Sequence, residues 1–362
     1  MNPFIVCATR SMRNYTSQVI EYLSKYLTFS NIADQINGLD LLNTDLFADG
    51  EMEVSVNYSI RGRDIILFSS SARNDAGISV EQAKIELYHA VDALVRCQAN
   101  RILVFEPFIS CSRSDRTLRR SSVGLWVHLK TLSSLGAQHI VTFQMHSDKS
   151  KTMLDPSHSA IDDIPALTLL KKYLCDKYIK TLDFLENEVR NNWAFCSVDA
   201  GGEKLARVFA NSFGAPLVVA HKQRDYSKPN TVESINILSA EPIEGKSLWI
   251  VDDMIDTAGS VEKLIRVLAQ LNPKDINIIS VHALFSPPAV EKLEALSREG
   301  LLKHMIVTDT VSCSNYKQNI PGLEIVQSAE LSSQIVKAII NNESMSKLLQ
   351  PFNAGSYLSL RG

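Results

Sequence analysis

The sequence predicts an α/β protein of two tandem halves, each a mainly parallel sheet flanked by helices. Two observations carry that expectation. Strand-like apolar runs alternate with helix-like ones almost throughout the chain, and the whole alternation occurs twice. Strands that are apolar continuously belong to parallel sheets covered on both faces. The length of 362 residues agrees, since one domain accounts for roughly 100–200 residues.

In the first series "DIILFSS" (64–70) is a strand, and "VEQAKIELYHAVDALVRC" (80–97) has apolar positions at helical spacing. Then follow a strand at 101–107, a polar, Arg-rich loop, a helix near 122–135 and a strand at 139–145. The second series has strands at 193–199, 215–221, 247–253, 276–285 and 304–309. Its helices fall near 201–213, 259–271 and 288–298, with a last one at 330–342. The polar segment "DPSHSAIDDIPA" (155–166) is the expected break. The expected domains are 1–160, 161–330 and a C-terminal helix and tail, 331–362, packing back on the first.

Hydrophobic residues make up 45% and charged ones 21%, which suits a globular protein with a sizeable core. A net charge of −3 without a long basic run argues against nucleic acid as the main partner. Six scattered cysteines with no CxxC pair suggest a reducing compartment and no zinc site. The apolar run at the N-terminus is too short for a signal peptide, and no stretch of about 18 apolar residues offers a membrane span. The expectation is a soluble, cytoplasmic protein.

The most informative stretch is "LWIVDDMIDTAGS" (248–260). An apolar strand delivers Asp252 and Asp253 to its carboxyl end, where ligands of α/β sheets gather. Backbone N–H groups from Asp256 through Thr257, Ala258 and Gly259 to Ser260 would converge at the start of the next helix, an anion cradle suited to a phosphate. Thr257 or Ser260 is expected to cap that helix. The two acids offer acceptors for sugar hydroxyls or for a metal ion carried by the ligand.

This stretch resembles the phosphoribosyl-diphosphate signature of the type I phosphoribosyltransferase fold, and its "VDDMIDT" core resembles most the ribose-phosphate diphosphokinases, or PRPP synthetases. That family carries two tandem copies of the fold. Further segments share the resemblance: "LFADGE" (46–51), "SIRG" (59–62), "PFISCSRSDR" (107–116), "SVDAGGEKLA" (197–206) and "AHKQRDYSKPN" (220–230).

The resemblance implies transfer of the β,γ-diphosphoryl group of Mg-ATP to the anomeric hydroxyl of ribose 5-phosphate, giving PRPP and AMP. Phe47, Asp49, Gly50 and Glu51 would receive the adenine from a neighbouring subunit, and Arg113, Ser114, Asp115 and Arg116 would bind the ATP phosphates. Lys222 and Arg224, on a catalytic loop after a strand, would reach over the transferring group. Asp252, Asp253 and the cradle from Asp256 to Ser260 would hold ribose 5-phosphate, with Arg224. His146 and Asp199 would hold Mg²⁺, and Gly201 and Gly202 permit close approach to the substrate. The implied partners are ATP, ribose 5-phosphate and further copies of the chain in a dimer-based homo-oligomer.

The segment from Thr117 to Asp155 departs from the family pattern: Gln144 stands where an Asp precedes the metal-site His, and "DKSKTML" replaces a Gln-Ile-Gln-Gly-Phe-Phe run. Asp148 and Asp155 are the candidate replacement carboxylates. Residues 175–192 resemble an insertion, and the last twelve residues extend past the family's end. A catalytically silent regulatory relative and a nucleobase phosphoribosyltransferase are the alternative functions.

Overall fold

The computed structural model describes residues 3–26, 36–117, 120–224 and 232–361. The chain divides into two units: Met1–Pro165 with Thr310–Ser312 and Gln327–Leu349, and Ala166–Asp309 with Cys313–Val326 and Gln350–Gly362. Each is built on a sheet of parallel strands, with one antiparallel pair in the second, as the continuous apolar strands predict.

In the first unit, β1 (Phe4–Ala8) leads into α1 (Arg13–Tyr26). A hairpin of β2 (Leu42–Leu46) and β3 (Met52–Val56) precedes β4 (Asp64–Phe68), α2 (Val80–Arg96) and β5 (Arg101–Glu106). Then come α3 (Gly124–Leu135), β6 (His139–Phe143) and β7 (Ala160–Ile164). The sheet order is β1-β4-β5-β6-β7, without a reversal. Helix α2 starts at a capping box, in which Ser79 accepts from Gln82 N–H and the Gln82 side chain accepts from Ser79 N–H. Leu87, Val91 and Leu94 of α2 and Leu125, Leu129 and Leu132 of α3 share one core with Ile65, Ile102 and Ile140 of the sheet. The C-terminal helix Ala329–Ile340 belongs to the same unit, where Tyr15 Oη lies 2.8 Å from Ser328 Oγ and 2.7 Å from Ser332 Oγ.

The second unit opens with α4 (Leu167–Leu174), which runs on into a π-helical turn at Cys175–Ile179; after a break at Lys180 a further π-helical turn spans Leu185–Val189. The stretch resembling an insertion is thus mostly helical. Next come β8 (Trp193–Ser197), α5 (Glu203–Phe213), β9 (Leu217–Arg224) and β10 (Val232–Ser239). They are followed by β11 (Ser247–Ile255), α6 (Gly259–Ala269), β12 (Asp275–Ala283), α7 (Ala289–Arg298), β13 (His304–Thr308) and β14 (Leu323–Val326). The order is β10-β9-β8-β11-β12-β13-β14, with β9 and β10 antiparallel. Strand order reverses between β8 and β11, so this sheet has a topological switch point. No described helix is long and apolar enough to cross a membrane.

Three local expectations are corrected. The polar segment 155–166 holds the edge strand β7, with Asp162 and Asp163 paired to Val141 and Thr142, instead of a plain connection. An edge strand tolerates acids because one side meets no other strand. Strand β9 runs on to Arg224, so Lys222 and Arg224 lie on a strand instead of in a loop after one. Neither Thr257 nor Ser260 caps α6, whose N-cap is Ala258 in the left-handed region at φ 57°, with no side-chain bond.

Lys171 on α4 is 3% exposed, its ammonium 5.0 Å from the centroid of Phe209 and 3.5 Å from the Val208 carbonyl. Burial pushes its pKa down to about 8. Keeping it charged in the fold at neutral pH costs on the order of 3 kcal/mol, partly offset by about 1 kcal/mol from the ring. Lys171→Met is therefore expected to stabilise the fold by about 2 kcal/mol at pH 7 in a urea titration. The folded state holds fewer protons than the unfolded state above about pH 8. The wild type therefore regains stability as pH rises toward the ordinary lysine value, and the gain shrinks there. A variant no more stable at pH 7 would contradict the burial cost.

Candidate functional site

In open α/β sheets, ligands lie beyond the carboxyl ends of the strands at the switch point. The two strands flanking that point here are β8 and β11, and their following turns carry the residues singled out in the sequence. After β8, Asp199 Oδ1 accepts from Gly201 N–H at 2.9 Å and Gly202 N–H at 3.1 Å. A Cβ on Gly201 would meet that oxygen at 3.2 Å, so the turn closes tightly around its acid.

On β11, Asp252 pairs in register with Ser280 of β12, whose buried hydroxyl has no partner among the described residues. Asp252 Oδ1 accepts from Asp253 N–H at 3.0 Å, and Asp253 Oδ1 accepts from Met254 N–H at 2.9 Å. Burial, and then the charges of Asp253 and Asp199, push the Asp252 carboxyl well above the ordinary aspartate range. Neighbouring carboxyl groups thus oppose the ionisation of Asp252. Hydroxyl donors or a cation supplied by a ligand would relieve them.

Beyond the acids, the first bond of α6 runs from Glu262 N–H to the Ala258 carbonyl at 2.9 Å. The N–H groups of Gly259, Ser260 and Val261 thus leave the helix end without an acceptor among the described residues. An uncapped helix start with converging N–H groups favours an anion. Thr257 and Ser260 are exposed and Asp256 is half-buried. Sequence reasoning missed Lys292 of α7, whose Nζ lies 3.2 Å from Glu262 Oε2 and 3.4 Å from where a Cβ on Gly259 would sit. No local motif marks it, because only the packing of α7 on α6 brings it there.

Strand β9 adjoins β8, with Val219 opposite Ser197. Lys222 and Arg224 follow on the same strand, opposite Ile235 and Val232 of β10. Their backbone therefore passes the end of β8, while their side chains and residues 225–231 fall outside the described residues.

The first unit presents its candidates separately. Phe47, Asp49, Gly50 and Glu51 form the tip of the β2–β3 hairpin. Phe47 N–H donates to the Glu51 carbonyl at 2.8 Å, and Glu51 N–H donates to Asp49 Oδ1 at 3.0 Å. The tip holds Phe47 51% exposed, an aromatic face open to stacking. Arg113 and Arg116 are exposed on the loop after β5, with Asp115 half-buried between them. Ser114 braces that loop: its Oγ accepts from Gly124 N–H at 2.9 Å and its carbonyl accepts from Leu125 N–H at 3.2 Å.

His146 is exposed beyond β6. The residue before it, Met145, donates its N–H to Asp163 Oδ1 at 3.0 Å, and Lys151 Nζ lies 3.3 Å from Asp163 Oδ2. Burial raises the Asp163 pKa. Asp163 is thus the carboxylate tied to the His146 loop, and it was missed because it lies on a strand that the sequence concealed. Asp155 instead holds its own turn, accepting from Ser157 N–H at 2.9 Å and Oγ at 2.6 Å. Asp148 lies 3.9 Å from Lys151. Among the described residues no group of three or more His, Cys, Asp or Glu forms a metal site. A magnesium ion that keeps several waters and substrate phosphates needs only one or two protein carboxylates.

Comparison with known proteins gives two family matches: an N-terminal domain of ribose phosphate pyrophosphokinase over residues 5–136, and a phosphoribosyl transferase domain over 159–301. Ribose-phosphate pyrophosphokinase of Fusobacterium nucleatum is 30% identical over 86% of this chain and 91% of its own length. Ribose-phosphate pyrophosphokinase 1, chloroplastic, of Arabidopsis thaliana is 31% identical over 86% of this chain and 72% of its own. The crystal structure of phosphoribosylpyrophosphate synthetase from Mycobacterium smegmatis superposes with a TM-score of 0.76 at 25% identity, covering 94% of this chain and 99% of that one.

Proposed function

We infer the reaction from one premise: this chain belongs to the ribose-phosphate pyrophosphokinase family. We propose that it transfers the β,γ-diphosphoryl group of Mg-ATP to the anomeric hydroxyl of ribose 5-phosphate, releasing AMP and PRPP for nucleotide biosynthesis. The observation that carries this reading is the pairing, at one switch point, of partly buried acids with an uncapped helix start. The acids suit ribose hydroxyls and the N–H groups suit the 5-phosphate.

In this reading Asp252 and Asp253 accept from the ribose hydroxyls, and the N–H groups from Asp256 to Ser260 bind the 5-phosphate, with Lys292 adding charge. The anomeric oxygen attacks the β-phosphorus, its proton is lost, and the bond to the α-phosphate oxygen breaks to free AMP. Such transfer is mostly positioning and electrostatic stabilisation. Arg113 and Arg116 bind the ATP phosphates, Lys222 and Arg224 oppose the charge of the diphosphoryl group, and Phe47 receives the adenine from a second copy of the chain. Magnesium enters with ATP as substrate, and His146 and Asp199 are the residues proposed to meet it.

The test is an assay of the purified protein with ATP, ribose 5-phosphate and magnesium. AMP formation that requires all three is expected. No AMP under any metal or phosphate condition would overturn the reading and favour the silent regulatory relative.

A further inference from the structure

A buried polar network lies in the first unit, apart from every group used above. Glu106 ends β5 fully buried, and His128 of α3 is 1% exposed. His128 Nε2 and Glu106 Oε2 are 2.7 Å apart. Glu106 Oε1 accepts from Ser71 Oγ at 3.0 Å, and Tyr88 Oη lies 2.8 Å from His128 Nδ1. Four elements therefore meet in one chain of bonds: the loop after β4, the end of β5, α2 and α3.

The surrounding core is apolar, with Leu125, Leu129, Leu87 and Val104 all fully buried. Replacing such a buried pair with apolar residues of similar volume is often neutral or stabilising. What a closed network provides over apolar contact is a fixed direction. Its position says what is directed. Glu106 is the last residue before the loop that carries Arg113 and Arg116, and His128 lies just inside the helix that ends it. The pair joins the loop's exit from the sheet to its return.

Two further tethers flank Arg113. Ser114 is held to the start of α3 as described, and Cys111 Sγ lies 3.3 Å from Lys84 Nζ, which is itself 2.8 Å from Glu81. The exposed Arg113 is thus carried on backbone fixed on both sides.

We propose that Glu106 and His128 are positioning residues that aim Arg113 and Arg116 at the phosphates of ATP. This rests on the ATP reading above. Neither residue touches the substrate in this account, and each acts through the loop.

The test uses the double variant Glu106→Leu/His128→Leu in the full-length protein, with three measurements: thermal melting, KM for each substrate, and equilibrium binding of a magnesium-bound, non-hydrolysable ATP analogue. The expected result is a melting temperature within a few degrees of wild type, KM for ATP and analogue Kd raised on the order of tenfold or more, and KM for ribose 5-phosphate within about twofold. A folded double variant with unchanged ATP parameters would overturn the proposal and leave the pair a structural feature. Should that variant fail to fold, His128→Gln keeps a donor for Glu106 but breaks the link to Tyr88. It should weaken ATP several-fold without changing ribose 5-phosphate, and an unchanged KM for ATP would overturn the proposal equally. If the wild type forms no PRPP yet binds the analogue, the same comparison of Kd decides the proposal while the reaction assigned above fails. If the wild type neither binds nor uses ATP, both fall.

Discussion

Lys222→Ala is expected to slow PRPP formation on the order of 10²–10³-fold while leaving the melting temperature near that of wild type. The physical reason is charge. A diphosphoryl group in transfer gathers negative charge on its bridging and leaving oxygens, and an opposing ammonium stabilises that charge. Lys222 lies on β9, the neighbour of β8, where the chain has passed Val219 and hence the end of β8. That end leads directly into the Asp199 turn. Steady-state kcat is the measurement, with Lys222→Arg retaining charge but not shape. A Lys222→Ala enzyme with near-wild-type kcat would remove Lys222 from the catalytic role.

Asp252→Asn should raise stability and lower activity together. Burial and the neighbouring charges of Asp253 and Asp199 hold the Asp252 pKa well above the ordinary aspartate value. Between those two values the folded state binds more protons than the unfolded one. The unliganded protein therefore loses stability as pH rises through that window, and the loss is complete above it. Asparagine removes that cost, and the gain expected at pH 7.5 is about 1–2 kcal/mol, vanishing near pH 3.5. In the proposed site the same change would withdraw a charged acceptor from the ribose hydroxyls. A lost hydrogen bond to a charged group of about 1.5–3 kcal/mol corresponds to roughly 10–150-fold in kcat/KM for ribose 5-phosphate. A variant that is less stable at pH 7.5, or fully active, would contradict the acid-cluster account.

Much of this was legible because local chemistry and tertiary use agreed. The run "LWIV" is central strand in the sequence and fully buried in the fold, and the cradle after it starts a helix as expected. The fold class follows from the same consistency across strands β4, β5, β6, β8, β11 and β12. The edge strand β7 was concealed because "AIDDI" places two acids in a five-residue strand, a pattern that reads as polar loop until a neighbouring strand pairs with it.

The helix cap failed for a different reason. Thr257 and Ser260 have the right chemistry, but Ala258 takes the left-handed conformation and the helix start remains open. A capped start would already have used the donors that an anion needs. The Glu106–His128 pair was invisible because each partner is a single polar residue in an apolar stretch, and only the packing of α3 against β5 joins them. Lys292 was invisible for the same kind of reason, its meaning residing in another helix's start.

The central claim is diphosphoryl transfer, and the most direct measurement is ³¹P NMR of the products formed from magnesium ATP and ribose 5-phosphate. The account predicts equal amounts of AMP and a sugar that retains its 5-phosphate and carries an intact diphosphate on its anomeric carbon. ADP with a singly phosphorylated new position, or unreacted substrates, would contradict it.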